Sequence, residues 1–151
     1  MSSLALIDHA LPPTTPEIME KIALVEARIR PHEYTLQVQM DHHLHAGMYA
    51  RTCRLAPWMV ITSVLIKIPT ILIIHGDCVV LAGDKWHEIT GYNVIPASAG
   101  RKQIYMTREE TEITMIFPSD AKTVEEAERE FTDEFENLLT TRQKEVDLCL
   151  E

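Results

Sequence analysis

The sequence predicts an all-β barrel flanked by an N-terminal and a C-terminal α-helix. Between residues 34 and 118, short β-rich runs alternate with glycine-centred turn signals, while the flanking segments carry apolar residues at helical spacing. A chain of 151 residues suits one domain, able to bury roughly 70% of the surface its unfolded form exposes. The expected organisation is a lead and helix over 1–33, a barrel over 34–118 and an acidic helix over 119–151, packed as one compact domain.

Residues 1–14 read as an extended lead containing Pro12 and Pro13. Thr15 is placed to cap a helix whose first position is Pro16, because proline lacks the N–H that would be orphaned there. Ile18, Ile22, Val25 and Ile29 then recur on one face, and Pro31 ends the helix. Nine strands are expected after it, over 35–39, 48–54, 60–68, 70–74, 78–82, 86–89, 92–95, 103–107 and 112–117. Turns are expected at His75-Gly76-Asp77, Ala82-Gly83-Asp84, Thr90-Gly91 and Ser98-Ala99-Gly100. Over 119–148, Thr123-Val124-Glu125-Glu126 reads as a capping box opening a second helix. Val124, Ala127, Phe131, Phe135 and Leu138 form its apolar stripe, and its acidic remainder is expected to face solvent.

Composition excludes several function classes. Five Gly and eight Pro rule out a collagen-like or low-complexity chain, and 46% hydrophobic residues rule out a wholly disordered one. The net charge of −9 argues against nucleic-acid binding by charge. That charge is uneven: residues 120–151 hold eleven acids against four bases, so the body is close to neutral and can still house a basic pocket. No signal peptide is evident, and the greasiest run, 59–74, is broken by Lys67 and Pro69 before the ~20 residues a membrane span needs. Cys53, Cys78 and Cys149 read as free thiols of a reducing compartment. A soluble cytoplasmic protein without nucleic-acid or membrane partners is expected. Trp58, Trp86 and the methionines read as core filling.

Two clusters could carry chemistry. In His42-His43-Leu44-His45, strand alternation would set His43 and His45 on one face as a chelating pair. The bland reading is hydrogen bonding to backbone or water, and no acid between Asp41 and Asp77 completes a ligand set. The second cluster runs Gly91-Tyr92-Asn93-Val94-Ile95-Pro96-Ala97-Ser98-Ala99-Gly100-Arg101-Lys102-Gln103. Its order of glycine turn, strand, Pro, Gly and polar strand entry resembles the second half of the cupin signature, with Gly76 matching the glycine that closes the first half.

The stretch 45–134, about ninety residues, resembles a group of small cupin-like proteins of phage and prophage genomes. The matching pieces are His45-Ala46-Gly47-Met48-Tyr49-Ala50-Arg51-Thr52, Ile66-Lys67-Ile68-Pro69-Thr70, Ala99-Gly100-Arg101-Lys102-Gln103 and residues 123–134. The resemblance implies a double-stranded β-helix barrel whose interior holds a metal or a small molecule. It also implies where metal ligands would stand: anchored on Gly76, the Glu slot falls on Pro69, the His pair within 62–65 and the last His on Gln103. None of these suits a metal, so no metal and no other cofactor is expected.

Tyr49, Arg51, Lys67, Arg101, Lys102, Gln103 and Tyr105 remain as polar candidates for the interior. Arg and Lys converging on a concave site suit a carboxylate or phosphate. The alternative sets these cations on the rim, paired with Glu88, Glu109, Glu110 or Glu112. The expected function is binding of a small anionic ligand, nucleotide- or sugar-derived and sequestered in a host cytoplasm if the phage resemblance holds. Two alternatives stay open. One is a metal-independent sugar epimerase or isomerase using His43 or His45 with Tyr49 or Tyr105 as acid and base; the other is a structural protein of virion assembly. A homodimer is expected, because the run before Pro69 is greasier than one small barrel readily buries.

Overall fold

The computed structural model describes residues 10–35, 38–138 and 141. Helix α1 spans Pro16–Ile29, and the Thr15 hydroxyl accepts from the Ile18 N–H at 3.4 Å as its N-cap. Ile18 and Ile22 are buried against Leu81 and Ile104, with Val25 beside them, so the apolar stripe fixes α1 to the outside of the sheet. A 3-10 turn, Arg30–Thr35, follows.

Seven strands then form one antiparallel sheet: β1 Gln39–His45, β2 Met48–Leu55, β3 Val60–Thr62, β4 Thr70–Ala82, β5 Lys85–Ala97, β6 Ile104–Thr107 and β7 Thr111–Pro118. Their order is β1-β2-β7-β4-β6-β3, and β5 lies along the other edge of β4. The all-β class with flanking helices is the one the sequence predicts; the strand count is not. The runs 70–74 and 78–82 join into the single long β4, and 86–89 and 92–95 into β5. Gly76 and Gly91 lie opposite each other in that ladder, inside the strands instead of at hairpin ends. Before Gly76, β4 pairs with β7; after it, the same edge pairs with β6. The glycine pair therefore marks where the sheet bends from one wall of the barrel into the next. At Gly76, with φ at +150°, an added Cβ would stand 2.5 Å from the Thr111 hydroxyl and 2.6 Å from the Glu110 carbonyl oxygen, so the bend admits no side chain.

Two other expectations move. Residue 35 belongs to the 3-10 turn, and the histidine run itself forms β1. The stretch 60–68 is strand only as far as Thr62, beyond which irregular chain is held to the sheet by the Ile66–Arg101 bridge. Tight hairpin turns do occur at Gly83-Asp84, as expected, and at Ala46-Gly47, where both residues adopt positive φ.

The concave side carries the core: Tyr49 and Leu55 of β2, Leu72, Ile74, Cys78 and Val80 of β4, Ile89 and Ile95 of β5, Tyr105 of β6, and Met115 and Phe117 of β7. Full burial of each large apolar side chain stabilises the fold by about 1.5–3 kcal/mol. Helix α2, Val124–Phe131, closes this side with Ala127 and Phe131. Its capping box forms in altered shape: Thr123 Oγ1 accepts from the Glu126 N–H at 3.2 Å, while Glu126 reaches back to the Lys122 N–H at 2.9 Å. The helix stops well short of residue 148. The Lys67 N–H takes the Phe131 carbonyl at 2.8 Å, Thr132 turns extended, and a 3-10 turn Phe135–Asn137 follows. The expected helix beyond residue 141 lies outside the described residues. Trp58 and Trp86 are exposed at 80% and 49%, so neither fills the core; Trp58 sits in a turn, and Trp86 falls on the side of β5 opposite to Ile89 and Ile95.

Candidate functional site

A cavity of about 130 Å³ lies between the concave sheet and the segment that follows α2. Most of its wall is apolar: Ile61, Val64, Ile66, Leu72, Ile113 and Met115 from the sheet side, Phe131 and Leu138 from the cover. Its lining also includes Arg51, Arg101, Gln103 and Tyr105, four of the residues singled out in the sequence.

Arg101 is 1% exposed and has no carboxylate within ion-pairing distance among the described residues. Its guanidinium is held by neutral acceptors. Nη1 donates to the Ser98 carbonyl at 2.8 Å and the Ile68 carbonyl at 3.4 Å, and Nη2 to the Thr70 hydroxyl at 2.6 Å. Nε is buried with no acceptor among the described residues, and so is Nε2 of Gln103. Burial pulls the Arg101 guanidinium below its usual range, because the cation has lost water without gaining a counter-charge. Gln103 Oε1 is occupied, accepting from the Tyr105 hydroxyl at 2.6 Å. Burial pushes that phenol upward, so Tyr105 is a donor at neutral pH.

Arg51 projects inward from β2 and meets Glu128 of α2 at 3.2 Å, with its guanidinium 5.1 Å from the Phe131 ring centre. Glu128, 2% exposed, was not anticipated; the one signal for it was an acid sitting next to Ala127 of the apolar stripe. Cys53 lines the cavity with its thiol pushed up to about 11 by burial, and is a neutral group there.

The remaining candidates stand elsewhere. Lys67 points outward to Asp133 at 2.7 Å: residues 63–69 are not strand, so alternation from Ile66 and Ile68 does not carry its side chain inward. Lys102 faces away from the cavity, pairing with Glu26 at 2.9 Å and Glu134 at 3.5 Å. Neither lysine uses the rim acids the alternative named; Glu88 and Glu112 instead engage Arg108 and Arg54. Tyr49 shares the inward face of β2 but lies off the cavity wall, edge-on to Phe117 at 5.3 Å and hydrogen-bonded to His42 Nδ1 at 2.7 Å. His43 and His45 are exposed on the outer face of β1; the register turns Met40, His42 and Leu44 inward instead. No pair drawn from His43 or His45 with Tyr105 therefore faces across the cavity.

Among the described residues, the cavity wall offers no imidazole and no carboxylate. Among the described residues, no group of three or more His, Cys, Asp or Glu is placed to hold a metal ion. The donor set does not fit the metal of a metal-binding cupin barrel.

Fold and site together define an all-β half-barrel, closed by helical segments over a small, mostly apolar cavity whose lining includes two arginines. Solved structures similar to the chain include a cupin superfamily protein from Desulfitobacterium hafniense, 14% identical over 56% of this chain and 79% of that one, with a TM-score of 0.47. A cupin 2 conserved barrel domain protein from Salinispora arenicola is 14% identical over 61% of this chain and 84% of that one, with a TM-score of 0.45. KdgF from Halomonas sp. is 11% identical over 56% of this chain and 81% of that one, with a TM-score of 0.47. No family model matches the sequence, and neither does any curated protein. Among the described residues no helix is long and apolar enough to cross a membrane.

Proposed function

We propose that the protein binds a small anionic ligand in the barrel interior, without metal chemistry. The observation that carries this reading is Arg101: a buried cation whose acceptors are all neutral and whose Nε has none. An uncompensated buried charge is costly to fold around, and an anion in the adjoining cavity offsets that cost. Among the described residues the wall holds no group suited to act as a general base, since the phenol of Tyr105 and the thiol of Cys53 keep their protons. This favours binding over the epimerase-like alternative. A cavity between the concave sheet and its cover favours binding over a scaffold filled by its own side chains. Sequestration of a host small molecule by a phage-type cupin-like protein is the use we assign to such a pocket, and a homodimer is the proposed assembly.

A thermal-shift screen of nucleotides, sugar phosphates and carboxylates tests the reading. Saturation at a hundredfold Kd adds about 2.7 kcal/mol, which raises Tm by roughly 5–10 °C in a domain of this size. Arg101→Met is expected to weaken any hit about ten- to a hundredfold. If no anion stabilises the wild type, the pocket does not bind anions.

A further inference from the structure

We infer that the ligand is a monocarboxylate with a compact apolar body; this rests on the anion-binding reading and narrows it. The charge balance of the cavity sets the valence. Arg51 is neutralised by Glu128 at 3.2 Å, and the described lining residues include no acid, histidine or lysine. Of the two cations that line the cavity, Arg101 has no counter-charge among the described residues, and it calls for one negative charge. A phosphate dianion would bring a second charge into a site that has nothing to meet it.

The donors set the shape of the head group. Both Nη atoms of Arg101 are engaged by Ser98, Ile68 and Thr70, which leaves Nε. Gln103 is oriented by the Tyr105 hydroxyl at 2.6 Å on its Oε1, so its amide group presents Nε2 as the second donor. Two buried N–H donors on two wall residues, each without a partner among the described residues, equal in number the two oxygens of one carboxylate, which must displace wall atoms to reach them because neither is accessible in this structure. A phosphate monoester has three terminal oxygens and would leave one of them desolvated and bare.

The rest of the wall sets the body of the ligand. Val64, Ile66, Leu72, Ile113, Met115 and Leu138 offer dispersion contacts and no polar group. The other polar groups of the described lining are already committed: Ser63 Oγ to the Val64 carbonyl, Thr62 Oγ1 to Glu26, and Asn137 is likewise not free. A sugar or a nucleobase entering here would lose water without recovering hydrogen bonds, whereas a branched aliphatic or a phenyl group would not.

Isothermal titration of the full chain with matched probes tests this: isovalerate and benzoate, their amides, and isobutyl and phenyl phosphate, with AMP as the nucleotide. The carboxylates are expected to bind at least tenfold tighter than any amide or phosphate. Gln103→Glu supplies the missing counter-charge within the protein, so it is expected to raise Tm and weaken carboxylate binding at least tenfold. Gln103→Leu, which removes one donor and adds no charge, is expected to weaken it about tenfold, and it serves if the Glu variant does not fold. If a phosphate or AMP binds and the carboxylates do not, the monocarboxylate is overturned while the anion-binding reading stands. Amides binding as tightly as carboxylates overturn both, as does silence from every anion here and in the wider screen. Carboxylate affinity unchanged in both Gln103 variants overturns the placement of the head group.

Discussion

Burial decides the ionisation of the core side chains, and in one direction. Tyr49 is pushed up to about 12 and the thiols of Cys53 and Cys78 to about 11, because each would have to ionise away from water. For Tyr49 the folded value lies above the unfolded value of 10.0, so its contribution is complete below pH 10 and is lost as pH rises towards about 12. Urea-unfolding free energy is therefore expected to fall from about pH 9, where the unfolded thiols begin to ionise, and more steeply above pH 10, with Tyr49→Phe making the fall above pH 10 shallower. The raised thiols give a second prediction. At pH 8, peptide mapping after iodoacetamide treatment should find Cys53 and Cys78 unlabelled in the folded protein and labelled in denaturant. The Arg51–Glu128 pair gives a third: Glu128→Gln leaves a nearly buried guanidinium without its counter-charge and should cost about 3 kcal/mol by urea unfolding. Residue types at this scale were legible where a strand imposes alternation, as for Arg51 on β2. They were not legible where the chain leaves the sheet: Lys67 sits among apolar residues in the sequence, yet its stretch is irregular and its ammonium reaches Asp133 in solvent.

Glycine punctuates this chain in two physically different ways, and the sequence does not tell them apart. Gly83 closes a two-residue hairpin between β4 and β5, where positive φ is what the turn needs. Gly76 and Gly91 sit opposite each other inside those same strands and let the sheet bend, which is why nine expected strands become seven. Only long-range pairing separates the two uses, since β4 changes partner from β7 to β6 at that point. The two bend glycines should differ sharply on substitution. Gly91 has φ at +74° with nothing within 4 Å of an added Cβ, so Gly91→Ala should cost only the left-handed penalty of about 1–2 kcal/mol. Gly76→Ala must displace the Thr111 hydroxyl and the Glu110 backbone as well, and should lower Tm at least twice as far in differential scanning calorimetry. The terminal helices were legible as elements because capping and apolar spacing are local signals. The end of α2 was not, because the contact that takes the Phe131 carbonyl comes from Lys67, 64 positions earlier in the chain.

At the scale of the whole molecule, the ground for a homodimer shifts from one surface to another. The run 60–68 was expected to leave excess apolar surface, but Val64 and Ile66 go into the core and Ile61 and Ile68 pack against it. The convex face of β4 and β5 is greasier. Ile71 is exposed at 47%, Val94 at 47% and Tyr92 at 65%. The register places Ile71 opposite Pro96 and Ile116, Ile73 opposite Val94, and His75 opposite Tyr92, so these side chains share one side of the sheet. The charged residues on this side stand around the patch: Glu112 lies opposite His75 and pairs with Arg54, and Asp77 and Glu88 lie beyond the Gly76–Gly91 bend. An apolar face of this kind, set within a chain of net charge −9, is suited to burial against a second copy. Light scattering at micromolar concentration is therefore expected to give twice the chain mass of 17.2 kDa. Val94→Lys combined with Ile71→Glu should shift the protein to the monomer, because each charge would have to be desolvated in the interface. The core is untouched by either change, so the far-ultraviolet circular dichroism should stay that of the wild type. A wild-type mass of one chain at these concentrations rules the dimer out, and a dimer that survives both substitutions moves its interface off this face.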